Sequence, residues 1–414
     1  MKYVILCLVL MATGANAQRS SPIFSTRKDS IDFVALEAKL QKRFDAVHEK
    51  VNKRAQVTID SINAARQQFL DDHKYVMRTK YTQNRNFTPY QLLPTIANKD
   101  SIEKISIVGN GRRASLPDSI FMYRNLSDLE LIDFRISRLP KDLARLPVKR
   151  LTILNNFPKK KLRLPKNSTI TTLTIRGDEQ GKLPKSYRRM KNLEVLELSK
   201  NNLTKMPVVK NNDKLTRYEL TFNSITVIPS WIGKLKSLKN LNLNNNKVEL
   251  IKPGIERLKN LEELQLYRNN LKALPPMLYS MASLKVIDLY YNHIYSVTRD
   301  IANWKNLEVL YLSNNDLVSI PGEINQLTNL KELYIHHNKL TTIPSLSNLT
   351  SLYTLRINDN LLTELPAGIE QMNDLRYFDC AFNPWSSAAK YQILKLAIEL
   401  QKNDAFVKTD YDVN

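Results

Sequence analysis

One short phrase recurs through the later part of this 414-residue chain in a fixed register, and it constrains the fold more than any other feature. Leucine or a close stand-in falls at its first, fourth and sixth positions, and asparagine at its ninth. The phrase starts at Leu193, Leu215, Leu238, Leu261, Leu284, Leu307, Leu330, Leu352 and Leu375, at intervals of 22 or 23 residues. A period of that size marks a solenoid, in which each unit packs only on its neighbours.

The ninth-position residues are Asn201, Asn223, Asn246, Asn269, Asn292, Asn315, Asn338, Asn360 and Asn383. Apolar periodicity alone does not require asparagine there. Its side-chain amide donates and accepts at once, so in a stack it can satisfy backbone groups of the turn above and the turn below. Losing one would leave buried peptide groups unpaired, at roughly 1–3 kcal/mol each.

An aliphatic residue and a proline follow in most units, as in Ile228-Pro229, Leu274-Pro275, Ile320-Pro321, Ile343-Pro344 and Leu365-Pro366. Another aliphatic residue usually lies three beyond the proline: Ile232, Leu278, Ile324 and Ile369. On these residues the chain resembles the leucine-rich repeat family in its LxxLxLxxNxLxxLPxxI form. The resemblance implies an α/β repeat solenoid: a curved horseshoe with a parallel concave sheet and short helical or irregular segments on the convex side. It also implies a binding role, since members of the family commonly mediate protein–protein interaction. The repeat specifies a fold far better than a function.

More degenerate units start at Ile102, Leu126, Val148 and Ile170, with Phe134 and Asp178 at two of the asparagine positions. Thirteen units are therefore expected over 101–385, with a concave sheet about 60 Å long at strand spacing. Before them, residues 18–100 read as a helical region and connector. Phe33, Leu36, Leu40, Phe44, Val47 and Val51 recur at helical spacing, and no glycine or proline interrupts the stretch from Asp29 to about Lys80. That helix either covers the open end of the solenoid or forms a homodimer through the seam Leu40, Phe44, Val47 and Val51. Residues 386–414 read as a capping helix, Ala388 to Gln401, and a frayed polar tail.

Residues 1–17 have the plan of a secretory signal: Lys2, the apolar run Tyr3 to Met11, and Ala15-Asn16-Ala17 before the cleavage point. No other run is long and apolar enough for a transmembrane span. Export places the chain in the periplasm, on the cell surface or outside the cell. Beyond the signal only Cys380 remains, which precludes the disulfide-bonded caps of exported animal repeat proteins and favours a bacterial source. Five glycosylation sequons, at Asn86, Asn125, Asn167, Asn202 and Asn348, would matter only in a eukaryotic secretory pathway.

Catalytic signals are lacking. Gly109-Asn110-Gly111-Arg112-Arg113-Ala114 imitates a dinucleotide loop, but Leu116-Pro117 replaces the helix that such a loop requires. His336 and His337 have no evident third metal ligand, and neighbours on a strand diverge, so they read as surface polar residues. The chain is expected to be no enzyme and to use no cofactor or metal.

Alternation along each strand assigns the concave face. With the first, fourth and sixth residues inward, the third, fifth and seventh face out and the eighth ends the strand. The candidate ligand-binding residues are Tyr267, Arg268, Asp288, Tyr290, Tyr291, Tyr311, Glu332, Tyr334, His336, His337 and Arg356, with tyrosines on successive turns. Tyrosine and arginine join a broad contact area to a polar tip, which suits a protein or peptide partner. A rival site arises from charge. Of the net +22, residues 101–192 hold 21 basic against 8 acidic side chains. Lys159, Lys160, Lys161 and Arg163 form a run there that suits an anionic glycan or envelope polyanion. Export argues against nucleic acid.

Overall fold

The computed structural model describes residues 77–80, 99–108, 116, 118–132, 134, 136, 138–155, 163–164, 169–177, 187–188, 190–209, 212–402 and 405–410. The signal segment and the stretch 29–76 expected to be helical lie outside these residues.

Each of the thirteen units contributes one strand, from Lys104–Val108 and Asp128–Ile132 through Val286–Asp288 to Tyr377–Asp379. These strands pair in parallel and in chain order in a single sheet. Two more strands extend the sheet to fifteen. At the front, Met77–Lys80 pairs with Lys104–Val108. Its residues belong to the stretch expected to be helical, and they form a strand instead. At the back, Phe406–Lys408 pairs with Tyr377–Asp379, where a frayed tail was expected. A parallel ladder needs no repeat phrase to accept one more strand, and Ala405 and Val407 are buried beneath it.

The first, fourth and sixth side chains of each turn form a continuous core. Leu284, Ile287 and Leu289 are almost wholly buried, as are their equivalents in neighbouring turns. Behind the sheet the chain returns through short helical segments such as Ser230–Lys234, Arg299–Asn303 and Gly322–Gln326. Prolines set their entry: Pro229 and Pro321 hold extended backbone immediately before a helical turn, and Ile232 and Ile324 then point into the core. Three residues on, where those two turns carry Leu235 and Leu327, another has Trp304, which stacks on Tyr279 at 5.0 Å and donates from its indole to the Leu278 carbonyl at 2.9 Å. In another, Tyr218 takes a fourth-position leucine's place, buried because its hydroxyl reaches the Pro207 carbonyl at 2.7 Å.

The asparagine row bonds in one direction. Asn315 donates to the Leu312 carbonyl of its own turn and to the Leu289 carbonyl of the preceding one, while its oxygen accepts from the Ile294 N–H, also in the preceding turn. Asn269, Asn292 and Asn338 repeat that arrangement. The amide thus ties its own turn to the one before, rather than bridging the turns on either side.

The eighth position adopts a left-handed backbone in every unit from Leu193 onward: Lys200, Phe222, Asn245, Arg268, Tyr291, Asn314, His337, Asp359 and Phe382 all have φ between 51° and 57°. Gly177 holds the same place two units before Phe222's, with φ 78°. This bend turns the chain out of the sheet so that the ninth residue can enter the core. Asparagine and glycine tolerate it, whereas a bulky side chain there is strained.

The last turn is closed by the helix Ser387–Lys402, which buries Ala389, Ile393, Ala397 and Leu400. Cys380 is a buried free thiol whose ionisation is strongly disfavoured by that burial. Asp410 completes the end by accepting from the backbone N–H groups of Phe382 and Asn383, in place of the next turn's backbone carbonyls that accept from the equivalent groups elsewhere.

Candidate functional site

The concave face changes character at Tyr267. Tyr267 and Tyr290, seventh residues of adjacent turns, stack at 5.6 Å. Tyr291 meets Tyr290 edge-on at 4.6 Å and Tyr267 at 5.8 Å, so three rings form one cluster. Tyr311 and Tyr334 are register partners and stack at 4.6 Å. Most of these rings are half-buried by each other, but Tyr291 is 44% exposed despite its left-handed backbone. Burial, reinforced by Tyr291, pushes the Tyr290 hydroxyl up to about 12, and burial with Glu332 raises Tyr334 as well. Both stay neutral and present hydrogen-bonding tips.

Between the two ring groups lies Ser313, wholly buried. It occupies the seventh position of the intervening turn, and its small side chain lets Tyr290 and His336 meet across it at 5.7 Å. The Ser313 hydroxyl has no hydrogen-bond partner among the described residues.

The two histidines depart from the sequence expectation. His336 is buried, not a surface group, and its Nδ1 lies 2.8 Å from that of His337. Alternation fails here because the left-handed bend at His337 folds its ring back toward its neighbour. His337 Nε2 faces Asp359 at 3.4 Å. Burial, with Arg356, His337 and Lys408 nearby, drives His336 down to about 3, so it is neutral near pH 7. Among the described residues no group of three or more His, Cys, Asp or Glu side chains could hold a metal ion.

Beyond the rings the face becomes ionic. Arg356 reaches Asp379 at 3.2 Å and lies 5.9 Å from the Tyr377 ring centre. Asp379 is fully buried, and Lys408 of the terminal strand approaches it at 3.9 Å. Burial raises its carboxyl against the pull of those two cations. The Arg356 Nε and the Asn358 Oδ1 are buried without partners. Glu332 accepts from the Tyr334 hydroxyl at 2.7 Å and from Tyr353, a flanking residue outside the alternating set. Tyr353 and Lys408 escaped the sequence reading because neither lies on an outward-facing position of a recognisable repeat.

Arg268 is exposed at its left-handed corner. Of the basic run, Lys159, Lys160 and Lys161 lie outside the described residues. Arg163 is exposed and forms an isolated bridge with Arg138. On the concave side of the early turns the arginines are matched: Arg150 with Asp128 at 3.3 Å, Arg176 with Glu197, and Arg217 with Glu219.

A leucine-rich repeat region model matches residues 276–406, and a second leucine-rich repeat model matches 237–294. The fold is a leucine-rich repeat solenoid. A leucine-rich repeat protein of Leptospira interrogans is similar at 28% identity and TM-score 0.58, over 76% of this chain and 87% of that one. An internalin of Listeria monocytogenes shares the fold at 19% identity and TM-score 0.53, over 76% of this chain and 88% of its own. No curated protein sequence matches. Among the described residues, no helix is long and apolar enough to cross a membrane.

Proposed function

We propose that this chain is an exported, non-catalytic binding protein that holds a protein or peptide partner on the concave face from Tyr267 to Tyr377. The observation that carries this reading is the ring cluster of Tyr267, Tyr290 and Tyr291, continued by Tyr311 and Tyr334 on the next turns. Such rings give a rigid contact area with polar tips, the chemistry of interaction hot spots. Tyr291 strengthens the argument. Its ring stays exposed while it meets both Tyr267 and Tyr290, so it offers contact area at the edge of the cluster. Leucine-rich repeat folds typically serve as protein–protein interaction modules, and the signal-like residues 1–17 supply the export.

The test is capture from the native envelope and culture fluid by purified chain, beside a quadruple alanine variant of Tyr267, Tyr290, Tyr311 and Tyr334. The reading expects a defined protein retained by wild type and lost by the folded variant. Retention of the same material by both, released by salt, would instead support an anionic glycan bound through Lys159 to Lys161 and Arg163.

A further inference from the structure

The acidic side chains of the later concave face have partners, with one exception. Glu263 accepts from Asn240 and from Gln265, Glu332 from two tyrosines, Asp359 faces His337, and Asp379 lies between Arg356 and Lys408. Among the described residues Asp288 accepts only from the Tyr290 backbone N–H, at 3.0 Å. Its register neighbours are Gln265 and Tyr311, neither of which is a cation. Among the described residues the carboxylate therefore has no countercharge, with Tyr311 beside it in register and Tyr290 two residues on, each belonging to one of the two ring groups. Burial without compensation is costly for a carboxylate, and it pushes Asp288 up to about 6.

We propose that Asp288 and the flanking rings of Tyr290 and Tyr311 form a seat for the ammonium or guanidinium of a lysine or arginine side chain presented by an extended segment of the protein partner. Two independent attractions converge on such a group. The carboxylate supplies charge and hydrogen-bond acceptors, and the ring faces attract a cation through their quadrupoles. Charge balance agrees: over units 261 to 375 the outward positions carry Glu263, Asp288, Glu332, Asp359 and Asp379 against Arg268 and Arg356. A metal ion is a poor occupant, because a hard cation needs six or more oxygen ligands and the described residues gather no acidic cluster here. The open face, with turns spaced as strands are, admits a chain laid across it. The inference rests on the concave-face reading above and names what that face selects.

The probes are the capped tripeptides acetyl-Thr-Lys-Thr-amide and acetyl-Thr-Arg-Thr-amide, with the norleucine tripeptide as uncharged control. Each is titrated into the full chain carrying isotope-labelled tyrosine rings. The expected result is saturable movement of the Tyr290 and Tyr311 signals with the lysine and arginine peptides, binding about tenfold or more weaker with norleucine, and a similar loss in Asp288→Asn. That variant keeps the side chain's shape, and an unchanged or higher melting temperature shows that it is folded. Equal binding of the norleucine and lysine peptides, or full binding by Asp288→Asn, overturns the seat. The two readings separate in the capture experiment. A partner lost by the quadruple tyrosine variant but retained undiminished by Asp288→Asn leaves the face standing and removes the seat; a partner retained by both removes both.

Discussion

The early turns, from Ile102 to about Met190, and the later turns, from Leu261 to Trp385, share one sheet and solve the same problems with different residues. At the ninth position the later turns use asparagine to knit each turn to the preceding one. An early turn places Phe134 there, wholly buried. One slot is held by hydrogen bonds and the other by packing. The outer face differs similarly. Arg150 and Arg176 are matched to carboxylates of neighbouring strands, so their charge is locally spent. The later turns leave rings, an unpaired carboxylate and buried polar atoms facing the concavity. The early concave arginines are thus paired, whereas the later turns leave groups unpaired where a partner is proposed.

Substitutions at the ninth position break the comparison most sharply. Phe134→Ala opens a cavity and is expected to cost about 3–5 kcal/mol in urea unfolding. Asn315→Ala leaves three carbonyls and an N–H without their side-chain partner, at on the order of 3 kcal/mol. Phe134→Leu should recover most of the first loss, whereas Asn315→Leu should recover little of the second. Equal rescue at both sites would show that the two slots are held alike.

The lone carboxylate gives a smaller, pH-dependent effect. Asp288 is raised from 3.8 to about 6, so the folded chain binds more protons than the unfolded chain between those values. Its contribution to stability is therefore most favourable below about pH 4 and is lost as pH rises through about 6. Asp288→Asn should stabilise the chain by on the order of 1–2 kcal/mol at pH 8 and leave it unchanged near pH 4. Thermal melts at the two values decide it. His336 has the opposite sign: held down at about 3, it favours the fold above its unfolded value of about 6.5 and loses that contribution as pH falls toward 3.

Smaller still, Tyr291→Asn relieves a left-handed strain of about 1 kcal/mol while removing an exposed ring, so stability should rise as partner affinity falls. Arg176→Ala marks the lower limit. Its ion pair is half-exposed, and its loss should cost under about 1 kcal/mol.

Much of this was legible in the residues. The leucine positions located every strand of the thirteen units, because burial of alternate side chains fixes register. The direction of the asparagine bonds was not legible, since an amide offers both a donor and an acceptor and only the stagger between turns decides which neighbour it meets. Nor was the row of left-handed corners. Phe222, Tyr291 and Phe382 are poor candidates for that backbone, and the repeat imposes it regardless. The strand Phe406–Lys408 lay beyond the last repeat phrase, and Met77–Lys80 before the first, so periodicity had nothing to report there. At the site, alternation placed Tyr290 and Tyr311 outward but could not show that a buried serine lets Tyr290 reach His336.

The most direct measurement is tyrosine nitration of the chain with and without its captured partner, followed residue by residue. Tyr291 is exposed on the concave face, while Tyr295 lies just beyond the sheet and Tyr391 on the capping helix, both at least half exposed. The account expects bound partner to protect Tyr291 strongly and to leave Tyr295 and Tyr391 reacting as before. Protection of Tyr295 or Tyr391 with Tyr291 still reactive would place the partner on another surface and contradict it.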